Sequence, residues 1–377
     1  MTGRAKIEAA LSPEGTAEIP AVLCYEGIYI RDHWAQLTTV PWWHQESPDL
    51  EQQLGWRREV IQRTGQDWMV LPSTYTRQER RELSLETRDG ERYLVNRQTA
   101  QERRLQEPQI GGWPATAKVQ SVRPSALPAT PDEIAEAIPL SAADPEALRR
   151  DGNADLAARL LAEHGDLYPI RHVGGPLWSC YTLWGFEHLM VLVATQPELV
   201  GRACRRYLEQ RIREVRIAAA LGAAGIWIED CMTDMVGPQA FAALNVAYLR
   251  PLVEEIRAAG MQSIYYFCGD PTGKWEMLLD VGADALSLEE SKKGWAIDVE
   301  DVVERVQGRC AVLGNLDAIG VLQDGSEAAL RAEIARQIAA GRRNGSRFLM
   351  SLGSPVTPGT PVVRVRRYCE LVRELAG

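Results

Sequence analysis

The chain of 377 residues has no apolar run long enough to span a bilayer. Its opening stretch, MTGRAKIEAALSPEGTAEIP, contains no signal-peptide core. A cytoplasmic location without a membrane partner is therefore expected. No basic run stands out on a helix face. Lys and Arg total 42 against 51 Asp and Glu, giving a net charge of −9, which disfavours a nucleic-acid partner. The seven cysteines are odd in number and none has CxxC spacing, which speaks against a disulfide framework and for free thiols in a reducing compartment. The five histidines form no HExxH. There is no GxSxG elbow and no Walker loop, so hydrolase and phosphotransferase readings are poor. No GxGxxG follows the first strand, so a dinucleotide-binding open sheet loses support. Phenylalanine is scarce, 4 residues against 11 tryptophans. Trp34, Trp42, Trp43, Trp56 and Trp68 cluster early, where such rings can wall a pocket or pack a core or interface.

What the chain does have is alternation. Short apolar runs fall at 20–25, 67–71, 167–173, 225–230, 262–267, 284–288, 310–315 and 347–352. Helical patterns lie between them, the clearest at 48–65, at 238–260 and from Ser326 to beyond Gly341. Pro238 suits a first helical turn, Gly260 a C-terminal cap, and Pro251 a kink. Repeated strand–helix–strand units of this length imply right-handed parallel crossovers, and eight strands close a barrel. The expected fold is an α/β (βα)8 TIM barrel in one domain, 1–377, with an N-terminal extension. Within 74–113, Asp89 and Gly90 sit between two alternating runs and predict a hairpin insertion after the second strand. Residues 114–130, poor in apolar side chains and with three prolines, read as a loop.

In a barrel of this kind chemistry sits on the loops after the C-terminal strand ends. Those positions deliver carboxylates, a thiol, a tyrosine and an amide. Glu229, Asp230, Tyr266 and Glu289 are the catalytic candidates, because crowded carboxylates can hold a metal or keep a proton for transfer. Glu26, Arg31, His33, Trp178, Asn315 and Asp317 are the candidates for substrate contact, with Arg31 as an anchor for an anion. Helix capping is the alternative role for several of these, and Arg31 and His33 can equally be packed under the front loop. Cys268, beside Gly269, is the candidate metal ligand or nucleophile; a buried structural thiol is the alternative. Cys231 is a weaker candidate of the same kind.

GGPLWSCYTLWGFE at 174–187, GAAGIWIEDC at 222–231, YYFCGD at 265–270, GADALSLEE at 282–290, LGNLDAIGVLQDG at 313–325 and SLGSPVTPGTP at 351–361 occur together and in order. On these stretches the chain resembles the uroporphyrinogen decarboxylase superfamily, a (βα)8-barrel group that includes porphyrinogen decarboxylases and the methyltransferases that feed corrinoid proteins. The decarboxylases carry an RxxPxWxMRQAGR signature that holds propionates, where this chain reads CYEGIYIRDHW, with Arg31 a lone basic group. The zinc methyltransferases use an HxC pair and a later cysteine. Here Tyr266 stands at the histidine, Cys268 at the first cysteine and Ser354 at the second. The resemblance therefore implies a methyltransferase taking a methyl group from a methoxylated donor, aromatic ones included, or a methylamine-type donor to cobalamin on a partner corrinoid protein. Zinc, if held, would sit on Cys268 with Glu229 or Glu289, and a homodimer is expected. A carboxy-lyase of the decarboxylase type and a non-catalytic ligand-binding barrel are the alternatives.

Overall fold

The computed structural model describes residues 1–111, 124, 127–140, 144–291 and 294–376. The loop expected at 114–130 therefore lies outside the described residues except for 124 and 127–130.

The strands of the main sheet, in chain order, are β1 (Trp68–Val70), β5 (Tyr168–Gly174), β6 (Gly225–Cys231), β7 (Gln262–Cys268), β8 (Ala285–Leu288), β9 (Ala311–Leu313) and β10 (Phe348–Leu349). Each pairs in parallel with the next, in the order β1-β5-β6-β7-β8-β9-β10. Residues 20–22 occupy the remaining gap. Val22 N–H donates to Met350 O (2.9 Å) and Met350 N–H to Pro20 O (2.9 Å) on one side, while Asp67 N–H donates to Ala21 O (2.9 Å) on the other. The ring is thus closed by eight chain segments, as the alternation predicted.

The first segment is shorter than the expected 20–25, and only Ala21 makes a bridge, to Met350. Side chains have taken over its ladder: Ala21 N–H donates to Asp67 Oδ2 (2.7 Å) and Leu23 N–H to Gln66 Oε1 (3.0 Å). Those bonds satisfy the buried N–H groups but end the strand, since the acceptors are no longer main-chain carbonyls.

The N-terminal extension forms a helix, Gly3–Leu11, at the N-terminal ends of the strands. Arg4 N–H donates to Asp166 O (2.7 Å) just before β5, and Ile7, Ala10 and Leu11 are buried. This covers the end of the barrel away from the expected chemistry. The insertion after β1 has three strands rather than two: β2 (Leu83–Arg88), β3 (Glu91–Asn96) and β4 (Glu102–Leu105), all antiparallel. Asp89 (φ 50°) and Gly90 (φ 83°) form the tight turn their pairing predicted. The third strand was missed because ERRL is charged and three of its four residues are exposed, so no apolar alternation marks it.

The helix expected at 238–260 begins at Pro238 and runs to Ala258, but its irregularity lies at a π turn, Ala242–Val246, ahead of Pro251. Pro251 has no N–H to give the Ala247 carbonyl, and a wider turn just upstream helps to absorb the misfit. That turn directs Asn245 inward onto the sheet. Among the described residues no helix is long and apolar enough to cross a membrane.

Strand alternation divides the sheet residues between two environments. Trp68, His172, Trp227 and Tyr266 meet inside the ring: Trp227 stacks on Tyr266 at 5.1 Å and on His172 at 5.9 Å, and Trp68 meets it edge-on at 5.8 Å. Tyr265 and Phe267 pack outward, Phe267 against Phe241 of the helical layer. Each such fully buried ring contributes on the order of 2–3 kcal/mol of transfer free energy.

Candidate active site at the C-terminal rim

β6 and β7 run in register, pairing Glu229 with Tyr266 and Cys231 with Cys268. In a parallel pair, register partners share a face, so all four project into the barrel above Trp227. Tyr25, at the end of the first segment, completes the group. Its ring stands edge-on to Tyr266 (5.3 Å, 89°), and its hydroxyl lies 3.3 Å from Cys231 Sγ, which in turn lies 3.8 Å from Glu229 Oε1. Tyr25 (φ 53°) and Met232 (φ 60°) both adopt left-handed backbone, a cost for residues of this size that tends to collect at functional rims. Tyr25, Glu229, Cys231 and Cys268 keep partial solvent exposure, whereas Tyr266 is buried.

The rim is tied together across the barrel. Tyr266 donates its hydroxyl to Gly353 O (3.0 Å), Ser354 donates to Glu290 Oε2 (2.7 Å), and Asn315 donates to the carbonyls of Glu289 (3.0 Å) and Ile297 (2.8 Å). Gly353 packs so closely that a Cβ would run into the main-chain nitrogen of Glu290.

Burial dominates the electrostatics. It holds the Glu229 carboxyl above the usual carboxylate range, opposed by hydrogen bonds from Tyr25 and Cys231. It also holds Tyr25 and Tyr266 well above the usual phenol value, and the neighbours that reinforce this are tyrosine, cysteine and glutamate. Among the described residues no arginine or lysine is a leading influence on these three. Burial thus favours the proton-bearing forms of Glu229, Tyr25 and Tyr266, which suits proton donation to a leaving group.

Of the residues singled out from sequence, Glu229, Tyr266 and Cys268 meet here, and Glu289 lies close enough to act on Tyr266. Asp230 does not join them. Adjacent strand residues face opposite sides, and Asp230 points into the helical layer, accepting from Tyr265 Oη and Asn245 Nδ2, each at 2.6 Å. Asp317 caps the turn Ala318–Gln323, its Oδ1 accepting from Ile319 N–H (2.8 Å) and Gly320 N–H (2.9 Å). Asn315 uses its amide protons as the latch described above. Arg31 pairs with Asp32 (2.7 Å), and both ring nitrogens of His33 lie against carbonyls, those of Tyr29 (3.0 Å) and Thr360 (2.9 Å). Glu26 is buried beside β1. Burial lifts its carboxyl to about 7 against a hydrogen bond from Gln66, one from the Val70 N–H, and the charge of Arg57. Trp178 stacks on Tyr181 (5.2 Å, 7°) in an apolar recess that Cys231 and Met232 also line. Tyr25 and His172 were not among the sequence candidates; His172 falls on the inward register of β5, a signal that a period-2 count along that strand would have caught.

Among the described residues no three His, Cys, Asp or Glu side chains are arranged to hold a metal ion. Cys268 and Glu229 lie on neighbouring strands, but among the described residues no third such side chain joins them to complete a zinc site.

A closed parallel barrel with its proton-bearing cluster at the C-terminal rim defines a (βα)8-barrel of the enzyme type. The chain belongs to the uroporphyrinogen decarboxylase family, whose model matches residues 124–375. Curated relatives include the uroporphyrinogen decarboxylases of Solibacter usitatus, 29% identical over 157 residues (41% of this chain, 42% of the relative), and Legionella pneumophila, 24% identical over 233 residues (58% and 63%). The chain thus matches less than two thirds of the length of these relatives. Among solved structures, a methyltransferase from Methanosarcina mazei superposes over 100% of both chains with a TM-score of 0.68 at 16% identity. That likeness is one of fold.

Proposed function

We propose that this protein transfers a methyl group from a methoxylated donor to the corrinoid of a partner protein, with Glu229 as the proton donor. One observation carries the reading: burial favours the protonated forms of Tyr25, Glu229 and Tyr266, and among the described residues no arginine or lysine is a leading influence on these three. A porphyrinogen bearing many carboxylates needs cationic partners, and the one arginine of the signature region, Arg31, is already paired. The fold relative named a methyltransferase supports the same reading.

A reduced corrinoid, when bound, supplies the nucleophile that accepts the methyl group. This chain's residues act on the other partner of the bond. As the methyl carbon–oxygen bond breaks, the bonding pair stays on oxygen, and Glu229, whose proton burial makes harder to lose, gives that oxygen its proton. Tyr25 and Cys231, hydrogen-bonded to Glu229, orient its carboxyl, and the Tyr266–Trp227 stack forms the apolar floor that excludes water.

The test is methyl transfer from a panel of methoxyarenes to free cob(I)alamin, followed by the absorbance of the alkylated product. Glu229→Gln keeps the shape and removes the proton, and should lower kcat by about a hundredfold or more. Carboxy-lyase activity, the reading suggested by the names of the curated relatives, is measured in parallel. Release of carbon dioxide from a carboxylated porphyrinogen with no demethylation across the panel refutes the proposal.

A further inference from the structure

His172 lies on the inward register of β5. It pairs with Trp227 and stands two residues before Gly174, the partner of Glu229, so it sits about 7 Å below the acid along the strand. Its ring stacks on Trp227 (5.9 Å, 25°). The residue is partly exposed, yet its Nε2 is buried with no hydrogen-bond partner among the described residues. Other polar atoms around Trp227 share that condition: Trp227 Nε1, Trp68 Nε1, and Oγ of Ser287, the register partner of Tyr266. Buried polar atoms without partners are few in folded proteins, and a group of them around one ring calls for a ligand.

The chemistry of that ligand follows from the donors and acceptors. Burial and the nearby charge of Arg171, itself bonded to Leu71 O, push the His172 imidazole down to about 4, so it is neutral at pH 7 and carries one lone pair and one N–H. Indole N–H groups only donate. A hydroxyl meets both demands, since it can donate to a nitrogen lone pair and accept from an N–H. A carboxylate meets only the second, because it can accept from an N–H but has no proton for the nitrogen lone pair.

We propose that His172 is a substrate-contacting residue that hydrogen-bonds a hydroxyl group of the methyl donor, selecting hydroxylated over carboxylated or unsubstituted methoxyarenes. This rests on the methyl-donor reading of the cleft above it. Its first test needs no turnover: in intact protein labelled with 15N-histidine, phenol should shift one Nε2 resonance, the one missing from His172→Phe, while benzoate leaves it in place. In the transfer assay, His172→Phe keeps the ring stack on Trp227 and should raise KM for a hydroxylated methoxyarene about tenfold more than it raises KM for methoxybenzene, with part of that difference restored by His172→Gln. Should the Phe variant not fold, the Gln variant carries the same resonance comparison. A resonance unmoved by phenol, or an unchanged KM in a His172→Phe variant of normal melting temperature, overturns the proposal. Absence of methyl transfer while phenol still shifts the resonance refutes the reaction and leaves the hydroxyl contact standing.

Discussion

Asp230 offers a quantitative check on the two-faced reading of β6. Its carboxylate oxygen Oδ2 accepts from Tyr265 and Asn245, while Oδ1 is buried with no hydrogen-bond partner among the described residues. Burial lifts the carboxyl from its ordinary 3.8 to about 6, opposed by the hydrogen bonds from Tyr265 and Asn245. The folded protein therefore holds this proton more tightly than the unfolded chain. The resulting stabilisation is fully present below about pH 3.8 and is lost as pH rises through about 6. At 1.36 kcal/mol per pH unit the loss is about 3 kcal/mol. With an unfolding entropy of about 2.1 cal/mol/K per residue, 377 residues convert this to about 4 °C in melting temperature. In Asp230→Asn the amide oxygen can still accept both bonds and the group no longer ionises. Calorimetric melting of both proteins from pH 4 to 7.5 is the assay. All other titrations, those of Glu26 and Glu229 included, are common to the two and cancel in the difference. The variant should gain about 4 °C on the native protein between pH 4 and 7. Curves that run parallel across that range would refute the burial argument, and with it the claim that Asp230 faces the helical layer rather than the cleft.

Two further outcomes separate structural from chemical roles. Asp317→Ala removes a cap that accepts two N–H groups, so it should cost about 1 kcal/mol, or roughly 1 °C, with KM unchanged; a large rise in KM would return Asp317 to the substrate. Gly269→Ala forces a side chain onto φ 129° and into the Asp234 carboxyl, so it should cost at least about 2 kcal/mol and lower kcat by displacing the end of β7; a variant with native melting temperature and rate would show the rim to be slack.

The barrel was readable from sequence because strand runs and helical patterns recur at one spacing, and eight such runs have few other ways to bury both faces of a parallel sheet. Glu229, Tyr266 and Cys268 were readable because each ends such a run. Asp230 looked equivalent to Glu229 only because adjacency in sequence hides the side to which a strand residue points. Asn315 and Asp317 have the residue types of a binding site, yet their polar atoms are used on local N–H and C=O groups, which composition does not reveal.

Local sequence therefore determined the strands, the helices, several caps and the Asp89–Gly90 turn, because backbone preference and apolar periodicity act over a few residues. The closing contact of Ala21 with Met350, the meeting of Tyr25 with Cys231, and the stacking of His172 on Trp227 join residues far apart in the chain. Those were decided only when the sheet closed, since ring closure sets the register between strands and register sets which side chains share the cleft.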